Sequence, residues 1–183
     1  MNTLFFIIDN VFSFYLMVVL LRFWLQWTRA DFYNPLSQFA VKLTHPILTP
    51  LRRVIPGFGG FDIASLLLAY VVAVLKFFTF KMMGIFIVPT PFLLLISLLT
   101  LIKQFGVLIF WVLIARALLS WVSQGRSPID YVLHQLTEPM LTPIRRFIPS
   151  LGGIDLSFMV LFFLLQGLNL AMIDFIGPWW SQL

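Results

Sequence analysis

Two arginine pairs carry the strongest chemical signal in this chain. Arg52-Arg53 and Arg145-Arg146 each follow a Thr-Pro step, and each first arginine precedes an aspartate, Asp62 or Asp155, by ten residues. The guanidinium fork suits bidentate contact with phosphate better than a lysine does. One reading of Arg52, Arg53, Arg145 and Arg146 is therefore a paired site for lipid headgroups or a partner. The other is interfacial anchoring on short loops. Gly59-Gly60 and Gly152-Gly153 allow a sharp reversal before Asp62 and Asp155. Those two aspartates can cap the helices that follow, or pair with an arginine of their own segment. Neither has a base, nucleophile or metal cluster beside it in sequence, which argues against catalysis. With no Cys and two His, disulfides, thiolate metal sites and cysteine nucleophiles are excluded. The two histidines, His45 and His134, occupy non-equivalent positions, so no symmetric histidine site is expected. No cofactor, no metal and no enzymatic activity are expected.

A second set of charges lies within apolar stretches. Asp9 and Lys103 are 94 residues apart, and Lys81 and Asp174 are 93 apart. These offsets make them equivalent sites with opposite sign. Lone charges in a membrane are costly, by about 2.5–3.5 kcal/mol at the centre of a span and less near its ends. Pairing of Asp9 with Lys81 or Lys103, and of Lys103 with Asp174, would reduce that cost. The alternative is that all four mark where helices leave the bilayer.

These residues sit in an unusual matrix. Of 183 residues, 61% are hydrophobic and only 10% charged, against roughly 45–50% and 25% in globular chains. Mean hydropathy is +1.00. A soluble domain of this size could not bury so much apolar surface, and the same composition excludes disorder. The chain reads as an integral membrane protein. Its net charge of +5 does not indicate nucleic acid. Nine of the twelve basic residues fall in the windows 22–53 and 116–146, a placement that suits orientation in a membrane and contact with anionic headgroups. No Lys or Arg precedes the apolar run 4–21 and no cleavage site follows it, so it is expected to be a retained helix, not a signal peptide.

An internal duplication organises everything else. Residues 44–62 read THPILTPLRRVIPGFGGFD and residues 137–155 read TEPMLTPIRRFIPSLGGID, at an offset of 93. The expected repeats are 1–88 and 89–183. Each begins with a hydrophobic helix, about 4–27 and 98–122. A short amphipathic helix of about ten residues follows, capped by Asn34-Pro35 or Ser127-Pro128. Its apolar stripe is Leu36, Phe39, Ala40 and Leu43, or Ile129, Val132, Leu133 and Leu136, the pattern of an interfacial segment. Pro46 and Pro139 are expected to end it, before a separate Pro/Arg-rich turn. A second span completes each repeat, about 62–81 and 155–175. The connection 82–94, with Pro89 and Pro91, is too short to cross. The expected fold is an all-α membrane protein of four transmembrane helices in two tandem repeats. Both basic windows are expected to be cytoplasmic, with both termini outside.

The duplicated P-x-L-x-P-[IL]-R-R-x-I-P-x-x-G-G-x-D block between hydrophobic helices resembles the YggT/YlmG family of small membrane proteins, over nearly the whole chain. The resemblance implies a multi-pass protein of the bacterial inner membrane with no assigned catalytic reaction. It also implies links to osmotic stress and potassium homeostasis, to division and envelope organisation, and in chloroplasts to nucleoid distribution and cytochrome assembly. The function expected is that of a non-enzymatic organisation or assembly factor. Its partners would be anionic phospholipid headgroups and a membrane protein or second copy, with no direct contact to nucleic acid. The alternative is a small transporter or ion-pathway component.

Overall fold

The computed structural model describes residues 2–55, 57, 60–123, 127–148 and 155–183. Gly59, Gly152 and Gly153, expected in the turns, lie outside the described residues. Seven helices follow one another: α1 Asn2–Trp27, α2 Pro35–Val54, α3 Ile63–Met82, α4 Thr90–Ser123, α5 Pro128–Phe147, α6 Ser157–Ile176 and the short α7 Trp179–Gln182. Four of them, α1, α3, α4 and α6, are long and apolar enough to cross a membrane, with mean hydropathies of 2.0–2.3. The fold is the all-helical, four-span duplication expected.

Two boundaries differ from expectation, both through proline. α4 starts at Thr90, with Pro91 in its first turn, where a missing N–H costs nothing. The connection therefore shrinks to 83–89. α4 runs 34 residues, roughly 51 Å at 1.5 Å per residue, and overshoots a hydrocarbon core of about 30 Å. The second difference is at the amphipathic helices. α2 and α5 do not end at Pro46 and Pro139; each continues for 20 residues through two internal prolines. Pro46, Pro50, Pro139 and Pro143 all lie on exposed faces. There the carbonyls that lose an amide partner stay accessible to water or headgroups. The Pro/Arg-rich segment is thus the second half of the amphipathic helix.

The caps are as expected at the N-termini. Asn34 Oδ1 accepts from Leu36 N at 2.9 Å. Ser127 Oγ accepts from Ile129 N at 3.3 Å, within a capping box completed by Asp130. In the turn before α3, Gly60 has φ 86°, a conformation that side chains resist.

The two repeats do not pack alike. α1 packs against α2, α3 and α4, while α6 touches α4, α5 and α7 at the periphery. The reason lies in a stripe of small residues. Ser65, Ala69 and Ala73 stand on one face of α3 at four-residue spacing, and all are fully buried. Small residues let two membrane helices approach closely. Their equivalents in α6 are Phe158, Phe162 and Gln166. Bulk on that face holds α6 away, and a cavity of about 470 Å³ opens between α4 and α6. The main core runs through Leu16, Val19, Leu20 and Trp24 of α1, Val72 of α3, and Val112 of α4. A smaller cluster of Phe77, Phe80, Leu93 and Ile96 closes the opposite end.

Candidate functional site: the basic end of the bundle

α2 and α5 lie together at one end of the bundle, tied directly to each other. Asn34 Nδ2 donates to the Pro128 carbonyl, and Gln135 Oε1 accepts from Asp31 N at 2.9 Å. The expected stripe splits. In α2 the buried face is Ser37, Ala40, Thr44 and Leu48, whereas Phe39 and Leu43 point outward. In α5 the copy Val132, Leu133 and Leu136 is buried and Ile129 half-buried. Lys42, Gln38 and His134 are exposed.

Each arginine pair divides its labour. In the first repeat Arg52 turns inward, pairs with Asp62 and donates to Gln26 Oε1 at 2.8 Å. Arg53 is exposed, with no hydrogen bond among the described residues. In the second repeat Arg145 Nη2 meets Asp155 Oδ2 at 2.7 Å, and Arg146 is exposed. Asp62 therefore combines the two roles that the sequence left open, whereas Asp155 pairs with its arginine but stands one residue before Leu156, the N-cap of α6. Asp62 caps α3 through Ser65 N at 3.3 Å while holding Arg52. Asp155 accepts from Ser157 N at 3.0 Å while holding Arg145. Burial alone would raise both carboxyls. Hydrogen bonds from the arginine, with serine's help, outweigh it and hold each below the usual carboxylate range. Arg52 and Arg145 are thus committed to internal carboxylates, and the outer Arg53 and Arg146 face outward.

Three residues that sequence reasoning did not single out complete this end. Glu138 gathers the cations of the second repeat. It pairs with Arg145, lies 3.4 Å from Arg116 Nη2, and stands 3.2 Å from His134 Nε2. Arg116 also donates to Thr137 and lies over the Phe158 ring at 4.9 Å. Arg22, the equivalent of Arg116, is only 4% exposed, yet its Nε and Nη1 have no hydrogen-bond partner among the described residues. The position of Glu138 is held by His45 in the first repeat. There an open cavity of about 870 Å³ is lined by Arg22, Gln26, Arg29, Lys42, His45 and Arg52, among others. Arg29 closes α1 in a Schellman turn at φ 52°, where glycine would avoid a cost of roughly 1–2 kcal/mol.

The swapped charges at the other end meet different partners from those expected. Asp9 Oδ1 lies 2.7 Å from Lys76 Nζ, not against Lys81 or Lys103. Lys76 is 3% exposed and also donates to Ser13 Oγ at 3.0 Å. Lys76 shares the buried face of α3 with Ala69, Val72 and Ala73, while Lys81, five residues on, is turned by about 140°. Lys81 donates instead to Thr90 Oγ1 at 3.2 Å. Lys103 donates to the Trp180 carbonyl at 2.6 Å, which ties α7 to α4, and Asp174 is exposed without a partner among the described residues.

Four apolar spans, an exact 20-residue amphipathic helix in each half and a doubled Arg–Asp clasp define a duplicated helical membrane protein. The chain belongs to the CCB3/YggT family, whose model matches it twice, over residues 1–83 and 95–176. It is 58% identical over 186 residues to a protein encoded in the proC 3′ region of Vibrio alginolyticus, with both chains fully covered. It is 52% identical to the YggT protein of Escherichia coli K12, covering 95% of this chain and 91% of that one. A Pseudomonas aeruginosa relative is 44% identical, covering 92% and 87%. No solved structure matches.

Proposed function

We propose that this protein is a non-enzymatic organiser or assembly factor of the bacterial inner membrane, working through its basic end at the cytoplasmic face. The observation that supports this reading is the joining of α2 to α5. Two amphipathic helices, one from each repeat, form a single platform with exposed Phe39, Leu43, Val54 and Phe147 beside the outward Arg53 and Arg146. Such a surface combines apolar insertion with cationic attraction to anionic headgroups. It also offers a face to a membrane protein or a second copy. The osmotic and potassium links of the family would then follow from what the protein assembles.

A second reading, a transporter or ion-pathway component, has one observation in its favour: the Asp9–Lys76–Ser13 cluster placed within the spans. Potassium flux into vesicles carrying the purified protein separates the two. The organiser reading expects flux equal to protein-free vesicles. Flux above that level, abolished by Lys76→Met, would establish the alternative.

A further inference from the structure

The two repeats build the same cationic corner around an Arg–Asp pair, and only the second adds a further carboxylate to it. In the second repeat Glu138 supplies a carboxylate to Arg116, Arg145 and His134. In the first repeat the equivalent arginines, Arg22 and Arg52, are in place, but His45 stands where Glu138 would be. The result is a cavity of about 870 Å³, against one of about 250 Å³ at the equivalent place in the second repeat, which Asp130 lines. Arg22, Arg29, Lys42 and Arg52 line the larger one, and none of its lining residues is acidic. Arg52 has Asp62. Arg22 Nε and Nη1 are buried with no acceptor among the described residues. Buried N–H groups without acceptors are expensive, and Arg116 in the second repeat has Glu138 and Thr137 beside it.

We propose that the first-repeat cavity binds a phosphate group, which takes the place that Glu138 fills in the second repeat. A phosphate matches the site better than a carboxylate does. Four cations line the cavity, three of them besides the Asp62-paired Arg52, and an arginine fork binds phosphate oxygens bidentately. The cavity is roomy, at about 870 Å³. It opens between the end of α1 and α2, beside the amphipathic platform, so a lipid headgroup and a free phosphate both have access. This inference deepens the function proposed above, since it names a ligand chemistry at the same end of the bundle.

The test uses the full chain in phosphate-free maltoside micelles and reads thermal unfolding. One arm adds inorganic phosphate, the other phosphatidylglycerol without inorganic phosphate. At saturation a rise in Tm of about 5 °C is expected in at least one arm. A rise in the first arm assigns free phosphate, and a rise in the second alone assigns a lipid headgroup. His45→Glu, at an exposed position, supplies the missing carboxylate and should abolish the rise without lowering the basal Tm. Arg29→Gln, also exposed, should weaken the apparent affinity about tenfold. No rise in either arm, or a His45→Glu variant that responds like the unaltered chain, overturns the proposal. The organiser reading is decided separately by protein crosslinks from the platform, so either can fall alone.

Discussion

Neutralising Asp62 should destabilise the protein more than neutralising Asp155. Asparagine keeps a side-chain acceptor, so Asp62→Asn and Asp155→Asn remove charge while leaving the bonds from Ser65 N and Ser157 N. Breaking a fully buried ion pair costs about 3–5 kcal/mol, because the surviving charge stays desolvated. Asp62 is 3% exposed, but Arg52 is 34% exposed and keeps Gln26. Water therefore relieves part of the penalty, and a loss of about 2 kcal/mol is expected. In the second repeat both partners are about a third exposed, at 35% and 34%, and Arg145 retains Glu138. The loss there should be below about 1 kcal/mol. Thermal unfolding in a mild detergent, followed by circular dichroism, measures both. Equal losses, or a larger one for Asp155→Asn, would refute the claim that Glu138 gives the second repeat a reserve.

Other outcomes follow from the same geometry. Asp9→Lys should lower Tm, and adding Lys76→Asp should restore part of it, whereas Lys81→Asp or Lys103→Asp should not; recovery with either of those two would contradict the observed pairing. Acid should weaken the Arg–Asp clasps. Both carboxyls are held below their unfolded range, so their contribution is complete above about pH 4 and is lost as pH falls through the folded values. A Tm that falls below pH 4 in the unaltered chain should fall less steeply in Asp62→Asn. An export-dependent reporter fused after Leu183 should be active if both basic windows follow the positive-inside rule; activity only in the cytoplasm would invert the topology.

Much of the architecture could be read from spacing alone. The offset of 93 located α2 and α5 to the residue at their N-termini, through Asn34-Pro35 and Ser127-Pro128. Their C-termini were misjudged because Pro46 and Pro139 look like breakers when the face they occupy is unknown. The inequality of the repeats was less visible, since both second spans are equally apolar; it rests on Ser65, Ala69 and Ala73 against Phe158, Phe162 and Gln166. Repeat equivalence offers Asp9 either Lys81 or Lys103, because it gives depth but not the side of the helix, and Lys76 lies on the buried side. The mismatch of His45 with Glu138 was plain in the alignment. Its meaning required the structure, because only the fold brings Arg22 and Arg52, thirty residues apart, around one corner.

The central claim is that the basic end is the working surface. Photo-crosslinking in cells tests it most directly, with the crosslinker placed singly at Val54 or Phe147 on the platform and at Ile87 or Phe175 toward the opposite end, all exposed. The account predicts discrete protein adducts from Val54 and Phe147, diminished when Arg53 and Arg146 are both changed to Gln, and none from Ile87 or Phe175. Adducts confined to Ile87 and Phe175 would contradict it.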